Sequence, residues 1–411
     1  MKYNSRPMTV LLPLGFAASF SLFGDLTLYA VLASQREVVA LSLGAVGVML
    51  GINRMIRIPG NTLIGVFLDR WGRRRIFLVG MLLGVLSTAA YGLVNGFWPF
   101  LLSRLCWGIG WTCINVGGMA MVMDISTPEN RGRLSGSYNL WLWVGFAVGP
   151  LVGGFLVDWL GFRTAMLICS ALTALGLWVA LFALPETAGP AAGRQPKRDW
   201  WRRFRTLSGR QLRELLHTNR YLAVVSLILL ITQFTGEGIA LSTISFLLQQ
   251  RLSVDLSWAG LTLGVASAGG LLLALRSVVA SGAGILAGQF SDRRGSRWPV
   301  IAGSLVLGMI AFAGLMFAST PWAIVWSVAL SGLSGGMAMA SLAAQMGDLA
   351  PPGQEGLAMG AYATVGDVGS MSGPFLAYAL LPVWGLSWLY FLCIVIFLAG
   401  LGLLSYAYRH R

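Results

Sequence analysis

Apolar runs of 18 or more residues recur along the entire chain, and they narrow the available folds more than any other feature. Each is long enough to cross a hydrocarbon core of about 30 Å. Water cannot reach backbone amides inside such a core, so each run has to close its hydrogen bonds on itself as a helix. Of 411 residues, 56% are hydrophobic and only 11% are charged, against about 25% charged in an ordinary water-soluble domain. The expected spans are 9–33, 40–64, 76–95, 97–123, 135–158, 163–184, 221–249, 257–288, 298–318, 321–347, 357–381 and 385–406. The first run is too long for a signal peptide and lacks a small-residue cleavage site after it, so it is read as a span. The expected fold class is an all-α membrane protein of twelve transmembrane helices.

The formal charge of +14 would point to nucleic acid in a soluble chain, but its distribution does not. If the amino terminus is cytoplasmic, the connections on that side hold 22 of the 29 Lys and Arg, and the opposite side holds Arg36, Arg163 and Arg251. This asymmetry obeys the positive-inside rule and places both termini in the cytoplasm. The basic balance needs no nucleic-acid partner. A lysine-poor, arginine-rich chain of this kind fits an integral multi-pass protein of a plasma membrane, the bacterial inner membrane in particular. The longest connection, 185–220, opens on Pro, Ala and Gly and then turns basic and aromatic around Trp200, Trp201 and Phe204. Such a stretch suits an amphipathic helix on anionic headgroups, or a plain linker that obeys the charge rule. It separates an amino-terminal six-helix bundle, 1–184, from a carboxy-terminal one, 221–411.

The two halves repeat each other at an offset of 223 or 224 residues. Gly65-x-x-x-Asp69-Arg70-x-Gly72 recurs as Gly288-x-x-x-Asp292-Arg293-x-Gly295. Asp124 matches Asp348, and Gly145-x-x-x-Gly149-Pro150 matches Gly369-x-x-x-Gly373-Pro374. Repeated membrane halves are the architecture of secondary transporters, whose substrate site lies between the repeats near the midplane.

On these residues the chain resembles the major facilitator superfamily over its full length. The stretch from Gly65 to Arg74 is similar to that family's signature loop between the second and third spans. Leu101, Arg104 and Gly108 resemble its fourth-span motif, and Leu184-Pro185-Glu186-Thr187 its exit from the sixth span. Gly145, Gly149, Pro150, Gly153 and Gly154 resemble the fifth-span motif of its proton-coupled drug antiporters. The resemblance implies two pseudo-symmetric bundles. It also implies a cytoplasmic gate in which Gly65, Asp69, Gly72, Arg73 and Asp124 take part, with Asp292 as the counterpart in the second half. A loop that merely sets topology is the alternative to a gate, and packing alone is the alternative to an antiporter motif.

Seven charges lie inside spans: Asp25, Arg54, Arg57, Arg104, Glu237, Arg276 and Asp367. A charge at the bilayer centre costs ~3 kcal/mol or more, so seven require partners, water or a task. Spans three, six, nine and twelve have none, and in the resembled fold these are the outer supports. Asn53, Arg57 and Asn61 recur at helical spacing with Arg54 adjacent, which makes one polar stripe. Arg276 occupies a similar depth in the matching span. Arginine forks suit carboxylates and phosphates, so Arg54, Arg57, Arg276, Asn53 and Asn61 are candidate substrate ligands. Asp25, Glu237 and Asp367 are candidate proton carriers, and the resemblance implies that Arg104 modulates the first. Structural pairing of acids with arginines is the competing reading. Trp107, Trp111, Trp141 and Trp143 are candidates for contact with an apolar cargo.

The leading expectation is a secondary active transporter that exports an amphipathic small molecule in exchange for protons. A symporter, exchanger or flippase for an anionic cargo is the alternative. Expected partners are a small-molecule or lipid-like substrate, protons and a bilayer with anionic headgroups, with the chain acting as a monomer. Neither cofactor nor metal is expected. Cys106, Cys113, Cys169 and Cys393 all fall inside apolar runs without metal-ligand spacing, and both histidines lie outside the spans, so no enzymatic centre is expected.

Overall fold

The computed structural model describes residues 7–127, 129–187, 220–251, 255–258, 261–350 and 355–409. The basic stretch read as an amphipathic helix lies outside the described residues. Helices α1 (Met8–Val31), α2 (Leu43–Trp71), α3 (Arg73–Leu93), α4 (Phe97–Ile125), α5 (Arg131–Leu160) and α6 (Phe162–Ala183) form the first half. The second half holds α7 (Arg220–Arg251), α8 (Val265–Arg294), α9 (Trp298–Phe317) and α10 (Pro321–Leu349). It ends in a helical run, Glu355–Arg409, that turns at Gly385 with φ 69°. That run is too long to cross once, and only glycine adopts such a φ without strain. It therefore counts as two spans, α11 (355–384) and α12 (386–409).

Ten described helical segments are long and apolar enough to cross a membrane. The terminal run supplies two spans, and α2 makes twelve. Helix α2 falls outside those ten because Arg54, Arg57 and Arg70 interrupt its apolar run. Those residues are tolerable only if that face meets water or ion partners rather than acyl chains. The outward surface is apolar where it should be: α6 exposes Leu175, Trp178, Leu181 and Phe182, and α9 exposes Ile310 and Phe317.

Two expectations change. The eighth span does not begin at residue 257. Asp255–Trp258 and Leu261–Gly264 form strands β1 and β2 of a small antiparallel hairpin, and the helix starts at Val265. A hairpin satisfies its own backbone groups, so this stretch need not be helical. The signature stretch beginning at Gly65 is also no loop: α2 continues to Trp71, and only Gly72, at φ 88°, turns the chain into α3. Glu186 accepts the Arg73 and Arg74 backbone N–H groups at 3.0 and 3.2 Å. A carboxylate there also complements the positive end of the α3 dipole.

Within the first half α1 packs on α5 and α6, and α3 on α4 and α6. Gly145, Gly149 and Gly153 of α5 meet Ser19, Phe23 and Thr27 of α1, two rows of i, i+4 spacing laid together. The second half repeats this, with Gly369 and Gly373 of α11 against Leu230, Phe234 and Gly238 of α7. The halves meet through α2 against α11 and α5 against α8. At the first seam Gly47 lies on the Pro374 carbonyl, and at the second Gly270 lies on the Pro150 carbonyl. Those four residues obey the same 223-to-224 offset as the sequence repeat.

Arg251, at the end of α7, donates to the carbonyls of Leu315, Ala318 and Met316 at 2.8, 2.8 and 2.9 Å. It also reaches Ser387 Oγ at 3.1 Å. One guanidinium therefore caps the last turn of α9 and ties it to the start of α12. Arg251→Ala is expected to lower stability by about 2 kcal/mol, since hydrogen bonds from a charged donor contribute about 1.5–3 kcal/mol. Thermal unfolding of the purified protein checks this; an unchanged melting temperature would discard the cap.

Candidate functional site: a charge-lined cavity between the halves

A cavity of about 420 Å³ lies between the halves, a volume within the range of small-molecule sites. Its walls come from α1, α2, α4 and α5 of one half and α7, α8, α10 and α11 of the other. Helices α3, α6, α9 and α12 contribute nothing to it, the same four that carry no charge inside their spans.

Every candidate charge except Arg104 lines this space. Arg104 stands directly behind, wholly buried, with Nη1 2.5 Å from Asp25 Oδ1 and Nε donating to the Met49 carbonyl at 2.6 Å. Asn53 Nδ2 reaches the same Asp25 oxygen at 3.5 Å, and the Tyr91 ring lies 5.8 Å from the guanidinium. This pair stays inside the first half. Two others cross between halves. Arg57 meets Asp367 at 3.2 Å, and Arg54 lies 3.8 Å from Glu237. Glu237 also accepts from Arg276 at 2.9 Å, within the second half. Asn61 completes the α2 stripe on the cavity wall.

Glu237 is held unusually. Residues Gln233–Ala240 of α7 form a π-helical segment, a widened turn that is frequent at functional sites. A side chain at Gly236 would approach Arg276 Nη2 within 3.3 Å, so the small residue leaves the guanidinium its room. Trp107, Trp111, Trp143 and Phe146 form an aromatic wall beside these charges. Trp141 is not part of it: its indole packs against Gly15 of α1.

Sequence reasoning missed much of the uncharged polar lining, Tyr29, Asn115, Asn139 and Gln233 among it. A lone amide in an apolar helix carries no signal of which way it faces. It also missed Gly47 and Gly270, although the constant offset between the halves would have found them.

Among the described residues, the close contacts between the halves gather toward one face. The face bearing the amino terminus and the arginine-rich connections is called the basic face below. Toward the opposite face the halves touch closely: Gly47 and Gly51 pack on α11, and Gly154 packs on the Ala266 carbonyl. Asp158 accepts the Ser267 backbone N–H at 2.7 Å, and Ser245 donates to the Ala30 carbonyl. Toward the basic face, added Cβ atoms at Gly65, Gly132, Gly136, Gly282, Gly288 and Gly360 would meet nothing within 4 Å among the described residues.

Among the described residues, two of the expected gate residues, Arg73 and Asp124, pair with each other. Arg73 Nε pairs with Asp124 at 3.3 Å, and Thr187 donates to the same carboxylate at 2.9 Å, all within the first half. In the second half Arg297 pairs with Asp292 at 3.1 Å and Asp348 at 2.6 Å. The Asp348 hydrogen bond raises the Arg297 guanidinium above its ordinary range. Arg73 and Arg297 are related by the repeat offset, so the two clusters are counterparts. The Asp69 side chain lies outside the described residues.

Comparison with known proteins agrees with this architecture. The profile of the Major Facilitator Superfamily matches residues 14–277 and 266–411. The chain is 24% identical over 365 residues to the class C tetracycline resistance protein of Escherichia coli, covering 85% of each. It superposes on the human organic anion transporter MFSD10 with a TM-score of 0.67 at 18% identity, covering 97% of this chain and 99% of that one. A bacterial homologue of the human lysosomal transporter Spinster, in an inward-facing and unoccupied conformation, gives a TM-score of 0.75 at 16% identity, with 99% and 97% covered. With paired halves around one central cavity and a family match running from α1 to the end of α12, the chain belongs to the Major Facilitator Superfamily and is a secondary transporter, integral to a membrane.

Proposed function

We propose that this transporter exports an amphipathic small molecule in exchange for protons, by alternating access, with the basic face in the cytoplasm. One observation carries the reading: three carboxylates, each matched to arginine, border a single cavity between halves whose close described contacts gather toward one face. On this orientation the conformation is inward-facing. Its likeness to a tetracycline resistance protein supports export.

The chemistry follows from the pairs. A proton or a cargo charge that enters the cavity competes for one partner of an existing ion pair. Whichever partner is released inside a poorly hydrated space needs a new counter-charge, so cargo and proton cannot bind independently. Two of the pairs join α2 to α7 and α11 across the halves. Exchanging their partners therefore changes what holds the halves together. Asp25, Glu237 and Asp367 are the proton carriers in this scheme, and Arg104 tunes the first. The glycines left open at the basic face, Gly65 and Gly288 among them, give the halves room to close there in the other state.

Purified protein in vesicles with an imposed pH gradient tests the proposal. A gradient with protons concentrated on the face opposite the basic one is expected to drive cargo toward that face, and a protonophore to stop it. Cargo movement only in the direction of proton flow would replace exchange with symport.

A further inference from the structure

We infer that the cargo seat of this cavity takes an organic anion, a carboxylate, sulfonate or phosphate on a flat apolar body, with Arg54 as its principal ligand. The inference rests on the reading of this cavity as the cargo site and adds the class of cargo.

The argument is one of charge matching. Arg104 and Asp25 satisfy each other, and Arg57 and Asp367 stand one to one. Glu237 alone serves two guanidinium groups, Arg276 at hydrogen-bonding distance and Arg54 at 3.8 Å. Arg54 is thus the surplus cation. It lies beside the Tyr29 hydroxyl, which itself donates to the Leu50 carbonyl. Among the described residues no Lys or His lines the space, and its remaining polar groups are neutral. Nearby, the Nε groups of Arg57 and Arg276 are buried donors without a hydrogen-bond partner.

An anion beside Arg54 completes a two-to-two arrangement with Glu237 and Arg276, and the Arg54 guanidinium offers it a forked hydrogen bond. A cation has no comparable seat. To reach Glu237 or Asp367 it must displace an arginine, leaving that arginine buried and unpaired. Trp111, Trp143 and Phe146 supply an apolar wall of the same space.

Isothermal calorimetry on the purified full-length protein tests this with three matched probes: 2-naphthalenesulfonate, the neutral 2-naphthalenesulfonamide and the cation 2-naphthyltrimethylammonium. The anion is expected to bind at least about 10-fold more tightly than the others, a difference of about 1.4 kcal/mol. Arg54→Gln should remove that preference, and Arg54→Lys should retain most of it. Glu237→Gln carries the opposite sign: without its internal competitor the seat should bind the anion about 10-fold more tightly. Tightest binding of the cation, or weaker anion binding in Glu237→Gln, overturns the inference. So does anion binding that Arg54→Gln leaves unchanged. Vesicle transport separates the two readings. Selective anion binding without proton-driven movement sinks the coupling scheme and leaves this inference standing. Proton-driven export of the cation alone does the reverse.

Discussion

Asp25→Asn is expected to abolish transport and to lower the stability of the purified protein by about 3–5 kcal/mol, the usual consequence of removing one member of a buried ion pair. Asn keeps the shape of Asp and removes only its charge. What remains is Arg104, wholly buried, with Nη2 already lacking a partner and Nη1 deprived of the carboxylate 2.5 Å away. The Met49 carbonyl and Tyr91 hydroxyl offer partial charges, not a counter-ion. Because Asp25 is on α1 and Arg104 on α4, the loss also unties two helices that bracket the cavity. Adding Arg104→Gln to the first substitution is expected to recover most of the stability, since no stranded charge remains, while transport stays absent. Thermal unfolding and vesicle uptake measure the two quantities separately. A single variant as stable as the parent, or a double variant no more stable than the single, would falsify the ion-pair account.

The second large effect concerns the seam at the opposite face. Gly270→Leu should prevent the halves from closing there and reduce transport to background. A Cβ at that position would meet the carbonyl of Pro150, with the Pro150 carbonyl carbon 2.9 Å and the Leu151 Cα 3.3 Å away. These are backbone atoms, unable to swing aside as a side-chain tip does, so α8 has to move away from α5. Overpacking of this kind costs about 1–3 kcal/mol, enough to shift a balance between two conformations of similar free energy. Cysteines at positions 158 and 267, where Asp158 now accepts from the Ser267 backbone, report the closed seam by disulfide formation. Their crosslinking should be efficient in the otherwise native chain and fall about 10-fold, the effect of a 1.4 kcal/mol shift, once Gly270→Leu is added. Gly47→Leu, against the Pro374 carbonyl, should act the same way at the pseudo-equivalent seam. Unaltered crosslinking in both variants would show that neither glycine sets the approach.

Which residues face the cavity was partly written in the chain. Burying an ion in lipid is so unfavourable that Asp25, Arg54, Arg57, Glu237, Arg276 and Asp367 had to border a shared polar space, and all of them line it. Helical spacing put Asn53, Arg57 and Asn61 on one face of α2, and they share one wall. Trp141 shows the limit of that reasoning. An indole in lipid is tolerated on either side of a helix, and only the notch at Gly15 of α1 drew this one into packing. Opposite charges near span ends signal pairing, and Arg73 and Asp124 do pair. Spacing did not announce their neighbours Thr187 and Glu186, which hold the exit of α6 beside them.

By itself the sequence determined the solvent and the helical fold, and its motif spacing the two-fold repeat. The first two follow from the cost of unsatisfied backbone and ionised groups in hydrocarbon, a property of each segment alone. Only the tertiary structure decided which acid meets which arginine, since partners on α1 and α4, α2 and α11, or α7 and α8 are brought together by helix packing rather than by spacing along the chain. It alone decided that Glu237 sits in a π-helical turn between two guanidinium groups, and that Gly47 and Gly270 form close seams between the halves toward one face. A sequence repeated in two halves is compatible with either face being shut. The choice lies in contacts between the halves, and those exist only once both have folded.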